Sequence, residues 1–353
     1  MNLGSSVVLV TGATGWLGSR LVEVLAHGLA DHEAFKHPAE ATRIRCLVLP
    51  GENTEALQRL SPAIEMVRGD LADPAVSAAF CQGAREGLLF HTAGIIHPRT
   101  VSEFYRVNVT GTRSLLEAAA AAGLRRAIVI SSNSPCGCNP HPDHLFDESS
   151  PYRPYMHYGR SKMLMELAAL DIHRRGALET VILRPPWFYG PNQPARQTLF
   201  FKMIRDGKAP IVGSGENLRS MAYIDNLCQG LLLAALEAKA AGQIYWIADE
   251  RPYSMNEIVG TVEKLLSQEF GQPCAFRRMR LPGAVSEFAF LADAVLQRLG
   301  MYHQKIHVLS EMNKTIACHV GKAQRELGYR PRIGLEEGMR RSLRWCSERG
   351  LLN

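Results

Sequence analysis

The sequence predicts an α/β fold, a doubly wound parallel sheet with a smaller C-terminal lobe. Apolar strand-like runs alternate with helical patterns through the first half of the chain. A turn punctuated by glycines joins the first strand to the first helix. Alternating βα units imply parallel strands with right-handed crossovers. With 353 residues and 46% hydrophobic content, the chain can bury a large core. The expected division is a dinucleotide-binding domain over residues 1–184. Residues 185–353 form mainly a substrate-binding lobe, partly interleaved with the first.

Strands are expected at residues 7–10, 43–49, 64–67, 88–91, 127–131 and 180–183, with helices at 18–27, 55–60, 74–81, 101–122 and 158–175. The stretch 28–42 is long for a helix-to-strand connection. It holds His32, His37 and Pro38 and reads as an exposed insertion with solvated histidines. After Arg184, prolines and glycines punctuate two loops, and shorter elements follow to the end.

The net charge of +6, from 40 basic and 34 acidic residues, is a mild excess. It does not argue for a nucleic-acid partner, so none is expected, and it tolerates an anionic substrate. Most of the eight cysteines stand singly in apolar contexts, which suits a reducing cytoplasm. The first strand begins almost at once, so no signal peptide is expected. No apolar run reaches about eighteen residues, so no membrane span is expected. The apolar segment 284–299 is interrupted by Glu287 and Asp293 and reads as a buried helix or a lid.

The stretch Val7-Val8-Leu9-Val10-Thr11-Gly12-Ala13-Thr14-Gly15-Trp16-Leu17-Gly18 carries the first chemistry. Gly12 can take a turn's unusual dihedrals, Gly15 lets backbone approach a pyrophosphate, and Gly18 lets helix and strand pack closely. The helix N-terminus then faces the anion. Further on, Tyr158 and Lys162 stand four apart on one helix face. An ammonium beside a phenol lowers its pKa, so the phenol can exchange a proton with a carbinol or carbonyl oxygen. Ser131-Ser132 ends the preceding strand and can hydrogen-bond the same oxygen, and Asn108 lies in the helix between.

Together, Gly12-x-x-Gly15-x-x-Gly18, His91-Thr92-Ala93-Gly94, Asn108-x-x-Gly111-Thr112, Ser131-Ser132 and Tyr158-x-x-x-Lys162 resemble the extended short-chain dehydrogenases/reductases. Arg184-Pro185 and Tyr189-Gly190-Pro191 continue the resemblance, which spans nearly the whole chain. It implies a Rossmann fold, NAD or NADP, and a Ser–Tyr–Lys catalytic set supported by Asn108. Gly137 selects Ser132 over Ser131 as the family serine. The resemblance also implies that Trp16 and Leu17 supply backbone near the pyrophosphate and that Asp70 and Leu71 lie by the adenine. Thr92, Ala93 and Gly94 would line the nicotinamide ribose, with Tyr158, Lys162 and Pro185 completing the cofactor contacts.

The chain departs from the family at Cys136, where an aromatic is common. It departs again at Leu49-Pro50-Gly51-Glu52, where the ribose-reading acid or arginine is expected, so NAD and NADP both stay open. Trp187 replaces the asparagine that holds a sugar nucleotide in related epimerases and dehydratases. The run to Tyr223-Ile224-Asp225-Asn226 is closer to the 3β-hydroxysteroid dehydrogenase-like branch. A bulky alcohol or ketone is therefore the expected substrate. A nucleotide sugar is the alternative, on the strength of Arg219, and a catalytically silent dinucleotide-binding protein is a lesser one. Cys136, Cys138, His141 and His144 have metal-ligand types at short spacing but read as a surface loop, with no metal. A homodimer is expected from the apolar face of Met163, Leu164, Leu167 and Leu170.

Overall fold

The computed structural model describes residues 1–40 and 43–352. Seven parallel strands form the central sheet: β1 (Val7–Thr11), β2 (Arg43–Val48), β3 (Ile64–Arg68), β4 (Leu88–His91), β5 (Arg126–Ile130), β6 (Glu179–Arg184) and β7 (Ile244–Trp246). Their order is β7-β6-β5-β4-β1-β2-β3. Strand order reverses between β1 and β4, where Thr11 lies in register with His91. A parallel sheet of this kind binds its ligand outside the carboxyl ends of the strands at that reversal. The last strand comes from beyond residue 184, so the second half of the chain completes the sheet of the first.

Period-two alternation splits the strands between two buried clusters. Val8, Val10, Ile128, Ile130, Val181 and Leu183 face one side, packed with Leu21 and Val24 of helix Trp16–His27 and Leu231 of helix Ile224–Leu236. Leu9, Leu89, Ala127, Val129 and Ile182 face the other, against Phe80, Leu115, Leu116, Met165 and Ala169. Arg20 pairs with Asp225 at 2.6 Å, tying the first helix to the C-terminal lobe.

Three expectations need correction. The helix read over 101–122 is three segments, Val101–Phe104, a π-helix Tyr105–Gly111 and Thr112–Ala121. The insertion is not simply exposed: Leu29 and Phe35 are buried, and His32 stacks on Phe35 and bonds Gln229. Its apolar residues fill a gap beside the Ile224–Leu236 helix; residues 41 and 42 lie outside the described part. The apolar segment 284–299 is not a buried helix. Helix Ala284–Arg298 packs against helix Gln304–Glu311, with Phe288, Leu291 and Val295 exposed.

Candidate active site

The carboxyl ends of β1, β4 and β5 meet the helix Met156–Arg174 at one mouth. Gly12 has φ +68°, and its carbonyl accepts the Gly15 amide at 2.9 Å. A Cβ on Gly12 would meet the Ala93 backbone at 2.8 Å, and one on Gly18 would lie 2.0 Å from the Gly12 carbonyl oxygen. At Gly15 the same atom would meet only that carbonyl, at 3.1 Å, so the space beyond is open. The helix that starts at Trp16 has neither a capping side chain nor an acid in its first turn. Its free amides and dipole face this opening, a cradle suited to a pyrophosphate. Trp16 donates its indole N–H to the Pro191 carbonyl at 2.7 Å and rests on Phe188, so the cradle is braced by the β6 exit loop.

Asp70 pairs with Arg106 at 2.7 Å and accepts the Ala72 amide, contacts that lower its pKa against the opposing effect of burial. Leu71 is buried beneath Gly111, where a Cβ would meet its side chain at 3.2 Å. His91 is fully buried between the Thr11 and Thr112 hydroxyls at 2.7 and 2.8 Å. Burial, assisted by the charge of Lys162, lowers it to about 3, so it is neutral. Thr92 donates its hydroxyl to the Thr11 carbonyl, fixing the β4 exit against β1.

Ser132 and Tyr158 are in hydrogen-bond contact, and Lys162 stands one turn further along the helix of Tyr158. Burial raises the Tyr158 phenol to about 12, and its hydrogen bond with Ser132 opposes that shift. Lys162 is 3% exposed and donates to the Ile130 carbonyl at 3.0 Å. Burial lowers it to about 8, against the attraction of Glu166. A Cβ on Gly94 would stand 3.1 Å from its Nζ, so the absence of a side chain there leaves room for the ammonium. Ser131 is committed elsewhere: it donates to Glu166, which also receives Tyr152 at 2.8 Å and two Arg184 donors at 3.0 and 2.6 Å. Asn108, buried in the π-helical turn, spans the Ile95 amide at 2.9 Å, the Ile95 carbonyl at 3.1 Å and the Ser161 hydroxyl at 3.1 Å. Ser161 in turn donates to the Tyr158 carbonyl.

Sequence reading missed the groups that roof this mouth. Phe104 contacts the rings of Tyr158 and Tyr302, at centroid distances of 5.6 and 5.3 Å. Tyr302 shares a hydrogen bond with His97 at 2.8 Å. Tyr155 reaches Ser310 at 2.7 Å, and the His157 amide donates to Gln297 at 3.1 Å. The roof is the two-helix lid of residues 284–311, whose aromatic and polar residues carry no recognisable spacing. Glu52 lies three residues past Leu49, beyond the end of β2. Its carboxylate nonetheless stands between the Thr14 hydroxyl and the Leu49 amide.

On the substrate side, Trp187 packs on Phe200 at 5.7 Å, its N–H 3.4 Å from the Gln197 side-chain oxygen. Arg219 donates to the Glu311 carbonyl at 2.6 Å, while its Nε is buried without a partner. In the Cys136–His144 loop, Asn139 holds the His144 ring and carbonyl. Among the described residues, no three His, Cys, Asp or Glu side chains are grouped to hold a metal ion.

Residues 8–248 match the NAD dependent epimerase/dehydratase family, and the chain belongs to that family, within the extended short-chain dehydrogenase/reductase superfamily. An uncharacterized protein of Sinorhizobium fredii, y4nL, is 52% identical over 99% of this chain and 98% of its own. A 3beta-hydroxysteroid-dehydrogenase/decarboxylase of Arabidopsis thaliana is 28% identical over 95% of this chain and 78% of its own. A dTDP-glucose 4,6-dehydratase of Streptomyces antibioticus is 30% identical, over 96% and 91%. Among solved structures, the Streptomyces venezuelae dTDP-glucose 4,6-dehydratase DesIV, with NAD and TYD bound, superposes with a TM-score of 0.74 at 27% identity over 98% of each chain.

Proposed function

We propose that the protein is an NAD-dependent oxidoreductase that interconverts a secondary alcohol and a ketone on a bulky, largely apolar substrate, in the manner of the 3β-hydroxysteroid dehydrogenase-like branch. The observation that carries the substrate class is Trp187: an indole packed on Phe200 fills the position where a sugar-binding enzyme would present an amide. Arg219, the cation that could hold a diphosphate, is turned to the Glu311 carbonyl.

When bound, the dinucleotide supplies a hydride acceptor or donor at its nicotinamide carbon. Gly12, Gly15, Trp16, Leu17 and Gly18 cradle its pyrophosphate. Asp70 and Leu71 border the adenine, and Thr92, Ala93, Gly94 and Pro185 border the nicotinamide ribose. Tyr158 takes the proton from the carbinol oxygen or returns it to the ketone. Ser132 orients that oxygen and, through its hydrogen bond, opposes the rise that burial imposes on the phenol pKa, while Lys162 holds the ribose. Asn108 is a positioning residue: it locks the β4 exit to the helix of Tyr158 through Ser161.

A nucleotide sugar is the second reading, favoured by the unpartnered Arg219 Nε and the dehydratase likeness. NADH absorbance with a panel of 3β-hydroxysteroids, and chromatography of products with dTDP- and UDP-sugars, whose epimerisation or dehydration returns the hydride and leaves no net NADH, separate the two. Turnover confined to the sugars overturns the first reading. Eight free thiols accord with a cytoplasmic setting. A homodimer through the half-buried Met163, Leu164 and Leu170 and the exposed Leu167 completes the proposal, and a monomer mass in light scattering would refute it.

A further inference from the structure

Helix Ala284–Arg298 is folded inside out. The side turned to the protein is polar: Ser286, Asp293 and Gln297 are buried beside Ala289. Ser286 donates to the carbonyls of Leu309 and Ser310, and Asp293 accepts from Gln297 at 2.9 Å and bonds His307 at 2.7 Å. The polarity has a reason, because this side roofs the mouth beside Tyr158. The outward side is apolar. Phe288, Leu291, Val295 and Leu299 are 72, 60, 56 and 68% exposed, and Met301 and Val308 extend the strip. Residues at these intervals share one helix face. Four large apolar side chains in one row, mostly in water, mark a surface that has a partner.

We propose that this face docks on an anionic phospholipid surface, with the lid lying in the plane of the interface. Charge placement argues for lipid rather than protein. Arg298, next to Leu299, and Lys305, in the second helix of the lid three residues before Val308, are both exposed, and neither forms an ion pair among the described residues. Glu287, an exposed carboxylate of the helix, is paired with Lys314 and accepts a hydrogen bond from Asn313. An apolar strip bordered by unpaired cations is the arrangement that lets a helix sink its face to the acyl boundary beneath acidic headgroups. The helix spans about 22 Å at 1.5 Å per residue, short of a bilayer core, and only one side is apolar. It therefore lies on the membrane instead of crossing it; among the described residues, no helix is long and apolar enough to cross. This docking is independent of the substrate reading.

The test is co-sedimentation of the full chain with vesicles of phosphatidylcholine mixed with phosphatidylglycerol, against phosphatidylcholine alone. The wild type is expected to pellet with the mixed vesicles and to be released by high salt. Leu291→Asp/Val295→Asp and, separately, Arg298→Glu/Lys305→Glu should each weaken partitioning roughly tenfold or more. Both pairs are at the surface, so their thermal melting should match the wild type. A wild type that stays in the supernatant overturns the proposal. So does equal pelleting on neutral vesicles, or a folded apolar-pair variant that pellets normally. If Leu291→Asp/Val295→Asp instead halves the mass in solution and vesicles capture nothing, the face joins two copies of the chain and the lipid assignment is wrong.

Discussion

The Glu52 carboxylate accepts the Thr14 hydroxyl at 2.7 Å, which places an acid from beyond β2 directly against the glycine turn. A second bond from the Leu49 amide holds it there. An acid at this site accepts the 2′-hydroxyl of an adenosine ribose and repels a 2′-phosphate. Glu52→Ser is therefore expected to lower the ratio of kcat/KM for NAD over NADP by about 10- to 100-fold, the scale of one hydrogen bond to a charged group. Arg68, which donates to the Glu52 carbonyl at 3.1 Å, would then face the phosphate. An unchanged ratio removes Glu52 from cofactor choice.

Tyr158→Phe keeps the ring on Phe104 and removes only the hydroxyl. Turnover should fall by roughly 10²–10⁴, the range for a positioned proton donor, with dinucleotide affinity retained. Lys162→Met should lose both turnover and affinity. Full turnover by Tyr158→Phe would end the proton-transfer assignment whatever the fold.

The turn glycines should fail differently. Gly18→Ala forces a Cβ to 2.0 Å from a backbone oxygen and should destabilise the domain by about 1–3 kcal/mol or more. Gly15→Val has open space before it, so its thermal unfolding should stay near wild type while calorimetric dinucleotide affinity drops. A folded Gly15→Val protein of normal affinity would contradict the cradle.

The buried His91 gives the fold an acid-sensitive component. Its folded value is about 3 and its ordinary value about 6.5. Between these, the unfolded chain holds a proton that the folded chain lacks. Stability is therefore complete above about pH 6.5 and declines as pH falls toward 3, by up to about 1.4 kcal/mol per pH unit for one group. Urea unfolding should show a shallower acid slope in His91→Asn than in the wild type; equal slopes would place the acid response elsewhere.

The sheet was legible because β-branched runs and glycine spacing follow directly from backbone geometry. Tyr158, Lys162 and Ser132 were legible because each sits at a fixed offset from a strand or helix end. Glu166 was not. Four residues past Lys162, it has the sequence appearance of a solvated helical carboxylate. Only tertiary packing places it against Arg184, which is itself stacked near Tyr152 and Trp246. The lid misled for a related reason. Apolar content says that a helix has an apolar side, and the sequence around Phe288 and Leu291 does not say whether that side faces protein or surroundings.

The π-helical turn at Tyr105–Gly111 acts as a phase corrector. A regular helix advances about 100° per residue, so one residue of extra winding rotates everything downstream by that angle. Upstream, Phe104 serves the mouth with Tyr158 and Tyr302; downstream, Leu115, Leu116 and Ala119 serve the sheet. A strictly regular helix through both ends could not satisfy the two neighbourhoods together. Removing a single residue from the wide turn would leave composition and length almost untouched, yet it would force the chain to choose between its core and its catalytic entrance.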